Sequence, residues 1–299
     1  LRYGAPRDII LGMKIATVEG KVIKTGGRVV KNVAGYDLSK LMIGSYGTLG
    51  VILEINFKLY PLPLRRVTRF FRARNLDDAR EFRRKALDSP LAPLRMALLD
   101  PGGSAIARGS RPEPQQPEYF EIWVEFGGSE AVVRRCLEAI EKIAAAAVLA
   151  ECPCEDAMAD EGWNRLADFG AAARNHSEMV SLKASVPIAK TEAFIEFSRH
   201  EARAADVEHS CCGQLGVGVI DVGLRPGGRT PDLSALILRL RQQATQHAGT
   251  LVVLHCPARI KKDIDVWGAA EDDFPLMRRL KEVWDPKGTL SPGRFVGRL

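Results

Sequence analysis

Apolar and polar positions along the chain change period several times, and each change predicts an element. Ile9–Val18 and Lys21–Lys24 predict a hairpin turned at Glu19-Gly20. After Gly26-Gly27, Asp37 is the predicted N-cap of a short helix carrying Leu38, Leu41 and Met42. Leu49–Leu59 has a strand pattern and ends at Pro61-Leu62-Pro63, a rigid exit. Beyond it, strands and helices alternate. Val67–Arg72 predicts a strand, Leu76–Leu87 a helix capped by Asn75, and Leu94–Leu99 a strand. Ser104–Pro117 reads as a Pro- and Gly-rich loop. Tyr119–Phe126 alternates cleanly, and Glu130–Ala150 carries Val133, Leu137, Ile140, Ala144 and Val148 on one helical stripe. That order begins a ferredoxin-like unit.

A looser second copy follows in element order only. Val180–Val186 predicts a strand, Lys190–Ala204 a helix, Leu215–Val222 a strand, Leu233–His247 a helix and Thr250–Leu254 a strand. Asp273–Val283 predicts a short helix, and the turn-rich stretch from Trp284 to Arg294 must run along a surface. The expected organisation is therefore three segments: 1–63, 64–250 and 251–299.

At 299 residues, 46% apolar and 27% charged, the chain has the composition of an ordinary globular protein. The longest apolar run, Ile143–Ala150, is too short for a membrane span, and the first residues have no signal-peptide pattern. The chain opens at Leu1 without Met, inside sequence that reads as folded, as a fragment would.

Charge is uneven: residues 1–74 hold 14 Lys/Arg against 4 Asp/Glu, whereas the remainder is net acidic. A basic first segment suits a phosphorylated ligand or a solvated face. No zinc-finger spacing, helix-turn-helix or aromatic RNA-binding signature accompanies it, so no nucleic-acid partner is expected. The six cysteines form no regular framework and read as reduced thiols of a cytoplasmic protein.

Candidate chemistry concentrates between Gly26 and Val51, where six glycines fall within 26 residues without the Pro or Ser of a linker. Glycines of this density suit either a tight structural corner or a loop that brings backbone N–H groups to a diphosphate. The spacing matches neither a Walker A loop nor the G-x-G-x-x-G fingerprint.

The stretch Lys31-Asn-Val-Ala-Gly-Tyr-Asp-Leu-Ser-Lys-Leu-Met-Ile-Gly-Ser-Tyr-Gly-Thr-Leu-Gly-Val51 resembles the second half of the flavin-binding domain of FAD-linked 2-hydroxy-acid oxidases. These have the vanillyl-alcohol-oxidase type fold, and the resemblance is closest to the smaller flavoprotein-type subunit of bacterial glycolate oxidases. Tyr3–Asp8 with the strand after it, and the tail Asp285–Arg294, resemble the same family. The resemblance implies an α+β chain: the C-terminal half of a PCMH-type FAD-binding domain, a ferredoxin-like cap over 64–250, and a tail returning to the first domain.

The resemblance also implies FAD contacts. Gly4 and Asp8 correspond to a loop near the diphosphate. Lys31, Asn32 and Tyr36 precede the turn. Gly44, Ser45, Tyr46, Gly47, Thr48, Leu49, Gly50 and Val51 line the flavin, and Ser291 and Arg294 belong to a tail motif that comes back to it. The implied reaction oxidises a small 2-hydroxy acid to a 2-oxo acid. The implied partners are a catalytic flavoprotein subunit and an iron–sulfur subunit, with any membrane association peripheral and through those partners.

The sequence departs from the family in three ways. The N-terminal half of the FAD domain lies outside it, Ser291 stands where the family motif has Asn, and no histidine-rich cap motif is present. These departures favour an alternative, a structural or assembly subunit that has lost flavin binding. No catalytic residue is assigned. Arg28 reads as a surface cation. Tyr36 reads equally as a flavin cover or a packed corner. His255 and the Trp residues at 163, 267 and 284 read as structural. No metal site is expected from Cys152, Cys154, His209, Cys211 and Cys212, whose spacing fits no zinc pattern.

Overall fold

The structure is a computed structural model that describes residues 1–27, 36–110, 119–152, 156–170, 178–227, 232–270 and 272–299. These divide into one unit of residues 3–62 with 267–299 and another of 63–266 with 1–2.

The first unit begins with a single helical turn, α1 (Pro6–Ile9), that leads into β1 (Ile10–Ala16). β1 pairs antiparallel with β2 (Val22–Gly26) on one side and β3 (Val51–Phe57) on the other, with Met13 opposite Thr25 and Ile55. Between β2 and β3 lies α2 (Leu38–Met42), whose first turn is capped by Asp37 accepting from the Lys40 N–H. Ile10, Met13, Ile15, Met42 and Leu49 form the buried core, and Trp284 packs against it.

The second unit is an antiparallel sheet of eight strands made from two ferredoxin-like halves. The first half runs β4 (Arg65–Ala73), α3 (Leu76–Asp88), β5 (Arg95–Leu99), α4 (Pro101–Arg108), β6 (Phe120–Gly128), α5 (Glu130–Ala146), β7 (Ala150–Glu151) and α6 (Asp156–Ala167). The second runs β8 (Val180–Ser185), α7 (Thr191–Ala204), β9 (Val207–Gln214), β10 (Val219–Pro226), α8 (Leu233–Gln246) and β11 (Thr250–His255). The strand order is β11-β8-β10-β9-β5-β6-β4-β7. Each half thus has its four strands in the same order, fourth-first-third-second, and the two second strands join the halves through Leu98 opposite Gly213.

α3, α5, α7 and α8 cover one face, where Phe82, Ile140, Phe194 and Leu236 are buried against the strands. α4 and α6 cover part of the other, where Trp163 and Leu166 pack with Phe70 and Trp123. A bidentate pair, Arg83 to Glu192 at 2.7 and 3.2 Å, ties α3 of one half to α7 of the other. The last helix, α9 (Phe274–Trp284), belongs to the first unit and carries Pro in its opening turn.

Several elements differ from the sequence expectation. α6 and β9 match no expected element, and residues 104–108, expected to open a loop, complete helix α4. Asp100 caps this helix by accepting from the Gly103 N–H at 2.7 Å, and Gly109 ends it at φ +65°. The glycines serve close packing: a Cβ on Gly102 would sit 2.3 Å from the His209 carbonyl, and one on Gly103 2.0 Å from that of Cys211. Likewise, the strand expected over Leu215–Val222 is the turn between β9 and β10, formed by left-handed Gly216 and Gly218, followed by the start of β10.

Candidate cofactor site

The most distinctive backbone of the first unit lies between α2 and β3. Gly44, Tyr46 and Gly47 take positive φ of 85°, 54° and 76° within one turn. The turn is held by the Ser45 N–H donating to the Met42 carbonyl and by the Thr48 N–H and hydroxyl both donating to the Ser45 carbonyl, the latter at 2.7 Å. Backbone that passes repeatedly through the left-handed region can gather N–H groups into an anion-binding concavity.

This turn opens on a cleft of about 540 Å³. Its walls are Ile10, Met42 to Gly47, Gly50 to Ile52, Ile55 and the tail residues Thr289 to Ser291. Val51 and Ile52 give it a partly exposed apolar side, while Ser45 is buried in its corner. Ser291 also holds a positive φ, 44°, and a Cβ built on Gly47 would meet its Oγ at 3.1 Å. The glycine turn and the tail therefore touch.

Seven of the residues expected at the flavin line this cleft: Gly44, Ser45, Tyr46, Gly47, Gly50, Val51 and Ser291. Thr48 and Leu49 instead face a smaller space of about 180 Å³, shared with Leu41, Met277, Leu280 and Phe295. Gly4 and Asp8 act within their own turn. Asp8 accepts from the Ala5 N–H at 2.8 Å and closes α1, and Gly4 leaves room for that carboxylate. Tyr36 is 95% exposed. Arg294 is exposed, and its carbonyl accepts from the Trp267 indole at 3.2 Å. Lys31 and Asn32, like Arg28, lie outside the described residues. Tyr46, Trp267 and Phe295 form an aromatic group beside the turn, with ring centroids 4.9 to 5.9 Å apart.

The sequence pattern does not point to Lys281. Its ammonium is buried and donates to the Thr48 carbonyl at 2.9 Å, the Leu290 carbonyl at 2.8 Å and Asp285 Oδ2 at 2.6 Å. Asp285 in turn accepts from the Leu290 N–H at 2.7 Å and from the Thr289 N–H and hydroxyl. Burial alone would raise the Asp285 carboxyl, but Lys281 and these donors outweigh it and hold it well below the usual carboxylate range. The one trace in the sequence is an i,i+4 Lys-Asp pair at a helix end, which normally marks a solvated face.

In the second unit, Asp100, His209 and Cys211 bring three metal-type ligand atoms within 4.8 Å of one another. Hydrogen bonds already occupy two of the three. His209 lies between Asp100 Oδ2 at 2.7 Å and the Ser198 hydroxyl at 3.0 Å, and the other Asp100 oxygen accepts from the Gly103 and Cys211 N–H groups. Burial pushes the Cys211 thiol well up, which keeps it protonated. The arrangement is that of a satisfied polar core joining α4, β9 and α7.

The cleft offers a ligand two glycine corners without side chains, an apolar wall and a polar tail. Comparison with known proteins bears on the family and its cofactor. The pattern of the family described as FAD linked oxidases, C-terminal domain, matches residues 62–295. Glycolate oxidase subunit GlcD of Bacillus subtilis is 26% identical over 307 aligned positions, covering all of this chain. The chain spans 65% of the length of that relative. Glycolate oxidase subunit GlcE of Escherichia coli is 58% identical over 60 residues, which are 20% of this chain and 17% of GlcE. Among solved structures, 4-ethylphenol oxidase from Gulosibacter chungangensis superposes with a TM-score of 0.67 at 14% identity, over 96% of this chain and 65% of its own. The chain belongs to the FAD-linked oxidase family, and FAD is the cofactor of that family. Among the described residues no helix is long and apolar enough to cross a membrane.

Proposed function

We propose that this chain is the FAD-holding part of a glycolate-oxidase-type subunit that oxidises a small 2-hydroxy acid to a 2-oxo acid. The observation that carries the reading is the glycine turn Gly44–Gly50 facing Ser291 across one cleft, in a chain whose residues 62–295 match the family pattern. FAD, when bound, supplies the two-electron redox chemistry. The chain's own residues bind and orient it. Gly44 and Gly47 keep side chains out of the approach, Val51 and Ile52 offer an apolar surface, and Ser291 contributes a hydroxyl. The proposed partners are a second flavoprotein subunit and an iron–sulfur subunit, in keeping with GlcD and GlcE both being glycolate oxidase subunits. The proposed setting is the cytoplasm, with any membrane contact made through partners.

A second reading, an assembly subunit without chemistry, is favoured by His209. This buried cap histidine is committed to Asp100 and Ser198 and has no ring nitrogen left for a substrate. One experiment separates the two. The purified protein is titrated with FAD under an absorbance spectrum, then mixed with glycolate or D-lactate without oxygen. Bound flavin that bleaches supports the enzyme, no bound flavin overturns the cofactor site and supports the assembly role, and bound flavin that does not bleach keeps the cofactor site but overturns this substrate class.

A further inference from the structure

We propose that Lys281 is a positioning residue that sets the two walls of the flavin cleft in register, an inference that rests on the cofactor reading above. An ammonium carries three donors, and here all three are used. Only one goes to the partner on its own helix end, Asp285. The other two go to carbonyls from outside the helix. Thr48 lies in the glycine turn, and Leu290 immediately precedes Ser291 in the tail. Both acceptors are main-chain atoms of segments that line the cleft or adjoin it. Moving either carbonyl moves the backbone that approaches the cofactor.

Asp285 completes the device from the tail side, because the Thr289 and Leu290 N–H groups converge on its two oxygens. The carboxylate fixes the shape of the tail loop, and the lysine couples that loop to the glycine turn. A lysine that served only solubility would extend into water, whereas this one is 8% exposed. A buried charge without matched partners is costly, so the position is justified by the three acceptors it joins. Lys281 touches no reacting atom in this arrangement and acts only through Thr48 and Leu290.

A purely local role makes a different forecast. If Lys281 only stabilised the end of α9, its loss would loosen residues near Asp285 and leave the glycine turn alone. The test uses the full-length protein with Lys281→Met, Lys281→Arg and the double variant Lys281→Met/Asp285→Asn. The double variant removes the pair without stranding a buried carboxylate, and so guards against simple unfolding. Hydrogen exchange is read without flavin on peptides covering 42–51 and 286–292, and FAD affinity is read by fluorescence quenching.

The expected result is faster exchange in both peptides. FAD dissociation constants should be raised by about tenfold in Lys281→Met and the double variant, a loss of about 1.4 kcal/mol. Lys281→Arg, which keeps a cationic donor, should recover part of that loss. Unchanged exchange in 42–51 overturns the proposal, and so does FAD affinity within about twofold of the parent. Should the parent protein bind no FAD, the cofactor reading fails on its own, and the coupling of turn to tail stands or falls on the exchange of 42–51.

Discussion

Gly47 and Ser291 meet across the cleft: a Cβ on the glycine, which stands at φ +76°, would lie 3.1 Å from the serine Oγ. Gly44 stands at φ +85° with nothing within 4 Å of the same position. The two glycines therefore separate backbone strain from steric contact. Gly44→Ala and Gly47→Ala should each lose about 1–2 kcal/mol for placing an L-residue in the left-handed region, read from urea unfolding. Only Gly47→Ala should also displace Ser291 and weaken FAD retention. Equal FAD affinity in the two variants would show that the contact with Ser291 has no bearing on the cofactor.

Ser291 itself holds a left-handed conformation, φ 44°. Asparagine tolerates this region better than serine because its side chain can hydrogen-bond its own backbone. The family resemblance places Asn at this position. Ser291→Asn should therefore stabilise the tail, by up to about 1 kcal/mol in chemical denaturation, and should tighten FAD if the tail contacts it. A loss of stability would mean that the Ser291 hydroxyl makes a contact the amide cannot replace.

The first-unit strands and the capped helix α2 were legible because their signals are local: Asp37 before Leu38, and an alternating run ending at Pro61. The doubled ferredoxin-like order was legible only in outline. Helix α4 was hidden because Gly102 and Gly103 are poor helix formers, and what requires them there is the approach of β9, more than a hundred residues away in sequence. The β9–β10 turn was hidden because Leu215, Val217 and Val219 alternate like a strand through Gly216 and Gly218. At the candidate site, composition marked the glycine turn as either a tight corner or a ligand loop, and only the family resemblance chose between them. Nothing marked Lys281, since its three acceptors include two backbone carbonyls, one 233 residues distant, and no side-chain pattern records such partners.

Arg83 and Glu192 form a buried pair, at 9% and 0% side-chain exposure, between the two halves of the eight-stranded sheet's helical layer. Removing the arginine leaves a carboxylate without a counter-charge in the core. Arg83→Met should cost about 3–5 kcal/mol in urea unfolding. Replacing both partners with apolar residues of similar volume, Arg83→Met with Glu192→Met, should restore most of that loss. A double variant as unstable as the single one would show that the pair contributes more than the avoidance of a lone charge.

The Asp285 carboxyl gives the first unit an acid-sensitive element with a definite sign. Burial works to raise its pKa, yet Lys281 and the N–H groups of Leu290 and Thr289 prevail and depress it well below the ordinary 3.8. Between the folded pKa and 3.8, the unfolded chain holds more protons on this group than the folded one, so stability there falls as pH falls. The contribution is complete above the unfolded value and is lost as pH drops through the folded one. Asp285→Asn cannot titrate, so its melting temperature should fall less steeply with acidification than that of the parent over that range. Its melting temperature at neutral pH should also be lower, because the amide leaves the Lys281 ammonium buried without a counter-charge. The comparison must therefore be of slopes, from thermal melts at matched ionic strength. Parallel acid limbs in the two proteins would show that Asp285 titrates alike folded and unfolded, and that the contacts from Lys281, Thr289 and Leu290 do not hold its charge in solution.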